Sequence, residues 1–123
     1  MFKAEHIGIY AKDSESLNKW YCDTLGFIVT RKLEKPSRPT IYFLKSGEGL
    51  QIEILPTTKE WRKRGLEEPG FRHIGIEVDD FEKAASDLKS KGISLHNVRI
   101  TGKGWKIGYL EDPEGNVLEI VQR

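Results

Sequence analysis

Hydrophobic and polar residues alternate in two short stretches that begin with the same four letters, HIGI, at His6 and again at His73. Such alternation is typical of a β-strand, whose successive side chains point to opposite faces. In HIGIYA, the isoleucines and the alanine share one face, and His6, Gly8 and Tyr10 share the other. Each stretch is therefore predicted to be the opening strand of a unit.

A helical spacing of apolar residues follows each of these strands. After the first, the spacing predicts a helix over Ser14–Leu25, with Asp13 or Ser14 as its cap and Gly26 as its end. After the second, Asp79 or Asp80 is the predicted cap and Gly92 the stop. The apolar positions that define the two stripes are Leu17, Trp20, Tyr21 and Thr24 in the first and Phe81, Ala84, Ala85 and Leu88 in the second.

The ends of the two halves match without a gap, IYFLKSGEGLQIEIL (residues 41–55) lying over IGYLEDPEGNVLEIV (residues 107–121). Both read as two strands around a glycine-containing turn, and DPEG from Asp112 to Gly115 suits a type I turn. The alignment places Glu53 over Glu119. Each half is thus predicted to contain a strand, a helix and about three further strands. Because neither half could bury a core alone, the two are predicted to pair into an α+β architecture with a pseudo-twofold axis.

Residues 56–71, PTTKEWRKRGLEEPGF, match nothing in the repeat and are predicted to be a linker. A solvated connection is one interpretation. The basic cluster of Arg62, Lys63 and Arg64 beside Trp61 leaves a second one open, contact with an anionic ligand or a partner subunit.

Composition narrows the class of protein. The chain has 123 residues, 37% of them hydrophobic, and a net charge of +1, which gives no indication of nucleic-acid binding. No apolar run approaches the roughly 18 residues that cross a bilayer, and no signal peptide is visible. The single Cys22 excludes an intrachain disulfide and fits a cytoplasmic location.

Four polar residues recur in register on strands that are otherwise apolar, one histidine at the start and one glutamate at the end of each half. If that strand face is partly enclosed, an unpaired carboxylate there needs a cation. Two imidazoles and two carboxylates suit a divalent first-row metal with two positions left open, and Ni²⁺, Co²⁺, Fe²⁺, Mn²⁺ and Zn²⁺ all fit. A lone histidine or glutamate would more often be an ordinary surface residue, so the duplication carries the prediction. The predicted ligands are His6, Glu53, His73 and Glu119.

Three other features carry weaker predictions. His96 has no counterpart in the first half and is expected at the surface, and Cys22 is expected to be an inert thiol rather than a nucleophile. The stretch TGKGW from Thr101 to Trp105 predicts a flexible loop near the site, with Lys103 as a possible anion contact.

The duplicated unit, together with WYCDTLGF, EDPEGNVLEI and the paired His and Glu positions, resembles the vicinal oxygen chelate superfamily, the glyoxalase/bleomycin-resistance/extradiol-dioxygenase group. The resemblance covers nearly the whole chain. It implies one domain over residues 1–123, with βαβββ modules at 1–55 and 72–123 whose curved mixed sheets form a cup around the metal.

The full His/Glu/His/Glu set is most similar to that of bacterial glyoxalase I. The resemblance therefore implies a metal-dependent lyase or isomerase that transfers a proton on a hemithioacetal or related α-hydroxycarbonyl through a metal-stabilised enediolate. Glu53 or Glu119 would be the base, and the symmetry of the pair leaves the choice open. A metal-independent binding protein of the antibiotic-resistance kind and an acyl-CoA epimerase are the alternatives.

Two positions depart from the glyoxalase I pattern. Tyr10 stands where that group has a glutathione-binding arginine, and Thr57 where it has an asparagine. Either the thiol differs, or the substrate is not a thiol adduct. The predicted substrate-binding residues are Tyr10, Thr57, Lys103 and Trp105.

The resemblance also implies a homodimer with sites shared between subunits, and a small molecule as the other partner. Trp20, Tyr21 and Trp105 offer aromatic area that fits either an interface or a core.

Overall fold

The computed structural model describes residues 1–63, 65 and 67–123. The chain divides into two compact units, Met1–Trp61 and Arg62–Arg123. Both have the element order strand, helix, strand, strand, strand. The predicted α+β class and the two βαβββ modules are therefore confirmed.

The first unit contains one helix and a four-stranded mixed sheet in the order β1-β4-β3-β2. The first and last strands, β1 and β4, are parallel neighbours, and the other pairings are antiparallel. Its elements are β1 (His6–Ala11), α1 (Ser14–Leu25), β2 (Ile28–Lys35), β3 (Arg38–Lys45) and β4 (Gln51–Pro56).

Helix α1 begins and ends through local capping. The Asp13 carboxylate accepts a hydrogen bond from the Ser16 amide at 2.9 Å, which satisfies one of the free N–H groups of the first turn. Gly26 ends the helix in the left-handed conformation, with φ of 73°, and its amide donates to the Cys22 carbonyl. The buried face of the helix carries Leu17 and Tyr21, and Tyr21 is fully buried. Tyr21 is therefore a core residue of the first unit.

The second unit repeats the arrangement with its own helix and a sheet in the order β5-β8-β7-β6. The strands β5 and β8 are again parallel neighbours. The unit comprises β5 (Ile74–Glu77), α2 (Phe81–Ser90), β6 (His96–Ile100), β7 (Lys106–Glu111) and β8 (Val117–Gln122). Of the two predicted caps for α2, the structure selects Asp80, whose carboxylate accepts from the Lys83 amide at 3.0 Å.

The last strand of each sheet buries two alternating aliphatic residues on one face, as the alternation predicts. In the first unit Ile52 and Ile54 of β4 are buried, and in the second Leu118 and Ile120 of β8 are buried. The glutamate between each of these pairs points to the opposite face and is only partly covered. The buried aliphatic positions therefore fix the strand register that presents the glutamates.

Two predictions from the sequence concern residues of the predicted linker, 56–71. Pro56, assigned to the linker, is the last residue of β4. Arg64 of the basic cluster, like Leu66, lies outside the described residues. In the part of the chain that is described, no helix is long and apolar enough to span a membrane.

Candidate metal centre

The first unit brings His6 and Glu53 together across its parallel strands. His6 lies on β1, and the residue two positions further along that strand, Gly8, is paired with Glu53 on β4. Because side chains two apart share a strand face, the imidazole and the carboxylate both project from the same side of the sheet. His6 Nε2 lies 3.5 Å from Glu53 Oε1, and the side chains are 40% and 18% exposed, respectively.

The second unit repeats this pair with nearly the same geometry. His73 immediately precedes β5, whose Gly75 is paired with Glu119 on β8. His73 Nε2 lies 3.6 Å from Glu119 Oε2, and the side chains are 30% and 18% exposed. The four residues predicted as ligands therefore form two equivalent pairs, one in each unit.

The donor chemistry and spacing of each pair fit a divalent metal ion. Donor atoms about 2.1 Å from one ion lie roughly 3.0 Å apart at right angles and roughly 3.4 Å apart at tetrahedral angles. The His–Glu separations of 3.5 and 3.6 Å need only a small adjustment to reach these values. Neutral imidazole nitrogen and carboxylate oxygen are both suitable donors for first-row metals.

Each pair supplies only part of a coordination set. Among the described residues, no group of three or more His, Cys, Asp or Glu side chains is arranged to hold a metal. Each unit thus supplies two of the four predicted ligands.

The glycine of each HIGI stretch lies beside the glutamate of its pair. A Cβ added at Gly8 would lie 3.3 Å from Leu55 Cδ1 and 3.6 Å from Glu53 Oε1. The same atom added at Gly75 would meet no described neighbour within 4 Å. A side chain at Gly8 would therefore press on Leu55 and make only an ordinary contact with the Glu53 carboxylate.

Glu5, which the sequence analysis did not single out, holds the far side of the His6 ring. Its carboxylate hydrogen-bonds to His6 Nδ1. The same carboxylate accepts a hydrogen bond at 2.7 Å from the side-chain amide of Gln51, and the side-chain oxygen of Gln51 accepts one from the Thr30 hydroxyl. The hydrogen bond to Glu5 raises the pKa of His6, against a smaller opposing effect of desolvation, and the same bond lowers the pKa of Glu5. This carboxylate–imidazole contact leaves Nε2 facing Glu53, the orientation common among metal-binding histidines.

Tyr109, which the sequence pattern did not single out, supports the glutamate of the second pair. It lies on β7 directly opposite Glu119, and its hydroxyl donates to Glu119 Oε2 at 2.8 Å. Its ring packs edge-on against His73 with 5.7 Å between centroids. In the first unit Phe43 lies opposite Glu53 and makes the same edge contact to His6, also at 5.7 Å. The alignment of residues 41–55 with 107–121 already placed Phe43 over Tyr109, so the signal was present in the sequence.

The predicted substrate-binding residues fall into two groups, one in each unit. Tyr10 is 67% exposed on the His6 side of β1, and Thr57 follows β4, where its amide donates to the Ala11 carbonyl. Since Ala11 pairs with Pro56, both residues lie at the same end of the first sheet. Lys103 and Trp105 are adjacent in the second unit, with Lys103 Nζ 5.7 Å from the centre of the indole ring.

His96 lies at the surface, as predicted, and its Nε2 is 3.2 Å from Glu111 Oε2. It takes part in neither His–Glu pair.

A family model described as the glyoxalase/bleomycin resistance protein/dioxygenase superfamily matches residues 3–120. The chain belongs to this superfamily. The match spans both units and includes all four residues of the two pairs.

Some of the relatives are similar in length to this chain. A Synechocystis protein named "probable lactoylglutathione lyase" is 28% identical, over 95% of this chain and 92% of its own. The Escherichia coli protein YaeR, whose name assigns no activity, is 26% identical over 98% and 96% of the two chains. A crystal structure of a glyoxalase family protein from Enterococcus faecalis superposes with a TM-score of 0.82 at 26% identity, covering 97% of this chain and 96% of that one.

Proposed function

We propose that this protein is a divalent-metal-dependent lyase or isomerase of the glyoxalase I type. It would move a proton between neighbouring carbons of a hemithioacetal or related α-hydroxycarbonyl. Membership of the superfamily and relatives named as lactoylglutathione lyases support the reaction class. The observation that carries the proposal is the recurrence of one His–Glu pair with matching geometry in each unit.

In this proposal His6, Glu53, His73 and Glu119 hold one ion per site, and Ni²⁺, Co²⁺, Zn²⁺, Mn²⁺ and Fe²⁺ are all compatible with these donors. When bound, the ion would supply Lewis acidity that stabilises negative charge on an oxygen next to the reacting carbon. Both histidines must be neutral to serve as ligands. For His6, the contact of Nδ1 with Glu5 would leave the lone pair on Nε2, which faces Glu53.

The glutamates are the groups suited to carry the proton. A carboxylate within hydrogen-bond reach of a carbon-bound proton can accept it and return it to the neighbouring carbon. The partial burial of Glu53 and Glu119 limits competing water while leaving one side of each carboxylate accessible. Such a shuttle needs no redox partner, because one substrate is rearranged within itself.

The thiol portion of the substrate is proposed to differ from that of the glutathione-dependent members. Tyr10 presents an exposed aromatic ring and a hydroxyl. Thr57 presents a hydroxyl, which accepts a hydrogen bond from the Lys59 backbone amide at 3.2 Å. Neither supplies the cation or the amide that the glutathione-binding pattern places at these positions. A smaller thiol, or a substrate without one, suits such neutral contacts.

Metal analysis of protein purified without chelators tests the proposal first. Wild-type protein should contain a stoichiometric divalent ion, whereas the double variant His6→Ala/His73→Ala should lose it. His96→Ala, which removes a histidine from neither pair, is the matched control and should keep the ion. Full occupancy in the double variant would show that the ligand assignment is wrong.

Activity is tested with methylglyoxal in the presence of a panel of thiols, and with acyl-CoA epimerisation as the competing reaction. Loss of turnover on chelation and its return on adding back the metal are expected for the glyoxalase-type reaction. Tight binding of small molecules by metal-free protein, without turnover of any substrate, would favour the binding-protein alternative instead.

A further inference from the structure

A chain of three hydrogen bonds in the first unit ends on the imidazole of His6. The Thr30 hydroxyl donates to the side-chain oxygen of Gln51 at 2.5 Å. The side-chain nitrogen of Gln51 donates to one carboxylate oxygen of Glu5 at 2.7 Å, and the other oxygen of Glu5 lies 2.5 Å from His6 Nδ1. The chain therefore runs from β2 through β4 to the residue that precedes β1.

The donors and acceptors in this chain all point in one direction. The Gln51 side-chain oxygen can only accept, so the hydroxyl of Thr30 donates to it and the amide nitrogen of Gln51 is turned toward Glu5. An ionised carboxylate also only accepts, so the hydrogen bond between Glu5 and His6 needs a proton on Nδ1. In a neutral imidazole the lone pair is then on Nε2, which lies 3.5 Å from Glu53 Oε1.

A β-bulge supplies the first member of the chain. The ladder between β2 and β3 shifts register between Val29 and Arg31, so Thr30 is the extra residue of the bulge. Bulges redirect side chains, and here the hydroxyl of Thr30 is directed at Gln51. Gln51 is in turn the direct cross-strand partner of His6. The irregular part of β2 is thereby connected to the histidine of the first pair.

The aligned positions of the second unit cannot form the same chain. The residue before His73 is Arg72, whose side chain has donors and no acceptor. The residue aligned with Gln51 is Val117, which is apolar. The two histidines therefore lie at similar distances from their glutamates, but only His6 has this support.

We propose that Glu5 is a positioning residue for the metal centre, held in place by Gln51 and Thr30. It keeps the neutral imidazole of His6 in the Nδ1–H tautomer, with Nε2 directed at Glu53 before an ion binds. The first pair is thus the preorganised half of the ligand set. The part of this inference that concerns the ion rests on the proposed function, whereas the tautomer is a property of the metal-free chain.

Nitrogen-15 NMR of the metal-free protein tests the tautomer, and the chain has only three histidines to assign. At about pH 9, well above the usual histidine pKa, His6 should be almost entirely in the Nδ1–H form. Glu5→Ala should give the mixture of tautomers of an unrestrained imidazole. The matched control is Glu111→Ala, which removes the carboxylate 3.2 Å from His96 Nε2 and should leave His6 unchanged.

A mixture of tautomers for His6 in the wild type would overturn the proposal. No change in Glu5→Ala, or an equal change in Glu111→Ala, would overturn it as well.

Two further variants test whether Glu5 is held through the chain. Gln51→Leu and Thr30→Val should each increase the Nε2–H fraction of His6, and Gln51→Leu should have the larger effect because Thr30 acts through Gln51. Urea denaturation midpoints close to that of the wild type are expected, since each change removes only side-chain hydrogen bonds at exposed positions. An unchanged tautomer in both variants would refute the role of the chain.

Co²⁺ titration measures what the positioning contributes to metal binding. Loss of a residue that orients a ligand costs about 10- to 100-fold in metal affinity, and Glu5→Ala should weaken Co²⁺ binding by that order, whereas Glu111→Ala should not. In a His6→Ala background the same substitution should have little further effect, and in a His73→Ala background the full loss should persist.

An equal loss in both backgrounds would mean that Glu5 acts through its charge and not through His6, which would overturn the proposal. If wild-type protein bound no Co²⁺, the proposed function would fail, and the NMR comparison would still decide whether Glu5 positions His6.

Discussion

Cys22 shows how the surroundings of one side chain set its reactivity. It lies on α1, partly covered, with its sulfur 3.8 Å from the Asn18 side-chain oxygen. Burial raises the pKa of the thiol, and the negative charge of Asp23 raises it further. A nucleophilic cysteine needs the opposite, a lowered pKa beside a cation. The sequence-based prediction of an inert thiol agrees with this environment.

Alkylation kinetics test this directly. A raised pKa leaves less of the Cys22 thiol as thiolate at any pH below that pKa. Iodoacetamide should therefore modify Cys22 more slowly in folded protein at pH 7.5 than in the unfolded chain. The difference should shrink as the pH rises toward the pKa of the folded thiol. Protein in concentrated guanidinium chloride is the control, and identical rates in the two states would contradict the prediction.

The four proposed ligands could be found from sequence because their positions follow from a repeat and a strand period. Alternation alone places Glu53 on the face opposite Ile52 and Ile54, and the structure confirms that placement. The supporting contacts of Glu5 and Tyr109 were not found. They depend on which residues meet across strands and on where a hydroxyl points, and neither follows from the pattern of one strand.

At the scale of elements, local signals decided what could be predicted well. The predicted bounds of α1 are confirmed, since a capping aspartate and a terminal glycine mark both ends. The opening strand of the second unit begins at Ile74 and not at His73, so its prediction was wrong by one residue. Strand ends depend on partner strands, which the local sequence does not encode.

The turn between β7 and β8 lies at the predicted residues and begins with a buried aspartate. The Gly115 amide donates to the Asp112 carbonyl at 3.0 Å, which closes the turn. One carboxylate oxygen of Asp112 accepts from the amides of Glu114 and Asn116, both at 2.9 Å, and the side chain is almost fully buried. This turn sets the register in which Tyr109 and Glu119 face each other.

Replacing Asp112 by alanine should destabilise the protein measurably. The substitution leaves backbone N–H groups in a partly buried turn without acceptors, and each such group costs about 1–3 kcal/mol. Urea denaturation should show a lower midpoint for Asp112→Ala. Asp112→Asn retains one acceptor oxygen and should lose less, so equal stability of the alanine variant and the wild type would refute this role.

At the scale of the whole molecule, we propose that two chains share their sites, so that His6 and Glu53 of one chain act with His73 and Glu119 of the other. Each unit supplies two of the four proposed ligands, which makes a shared arrangement possible. Symmetric dimers are the commonest oligomers, and a twofold axis would generate two identical sites.

Mixing two inactive variants distinguishes shared sites from sites within one chain. In a shared-site dimer of His6→Ala with His73→Ala, one site is intact and the other carries both lesions. Random exchange should therefore restore up to about a quarter of wild-type activity. If each site lies within one chain, every site keeps a lesion and no activity returns. Mass spectrometry of differently labelled chains verifies the exchange.

The parallel pairing of first and last strands has a consequence for how the protein folds. His6 and Glu53 are brought together only by the pairing of β1 with β4, and the helix and the β2–β3 hairpin lie in the chain that this pairing closes into a loop. Contacts between such distant chain positions carry a loop-closure cost and tend to form late. An unfolding event that releases only β1 would therefore abolish the first pair while most of the sheet stays intact. Metal affinity would then report whether the parallel pairing of β1 with β4 is intact.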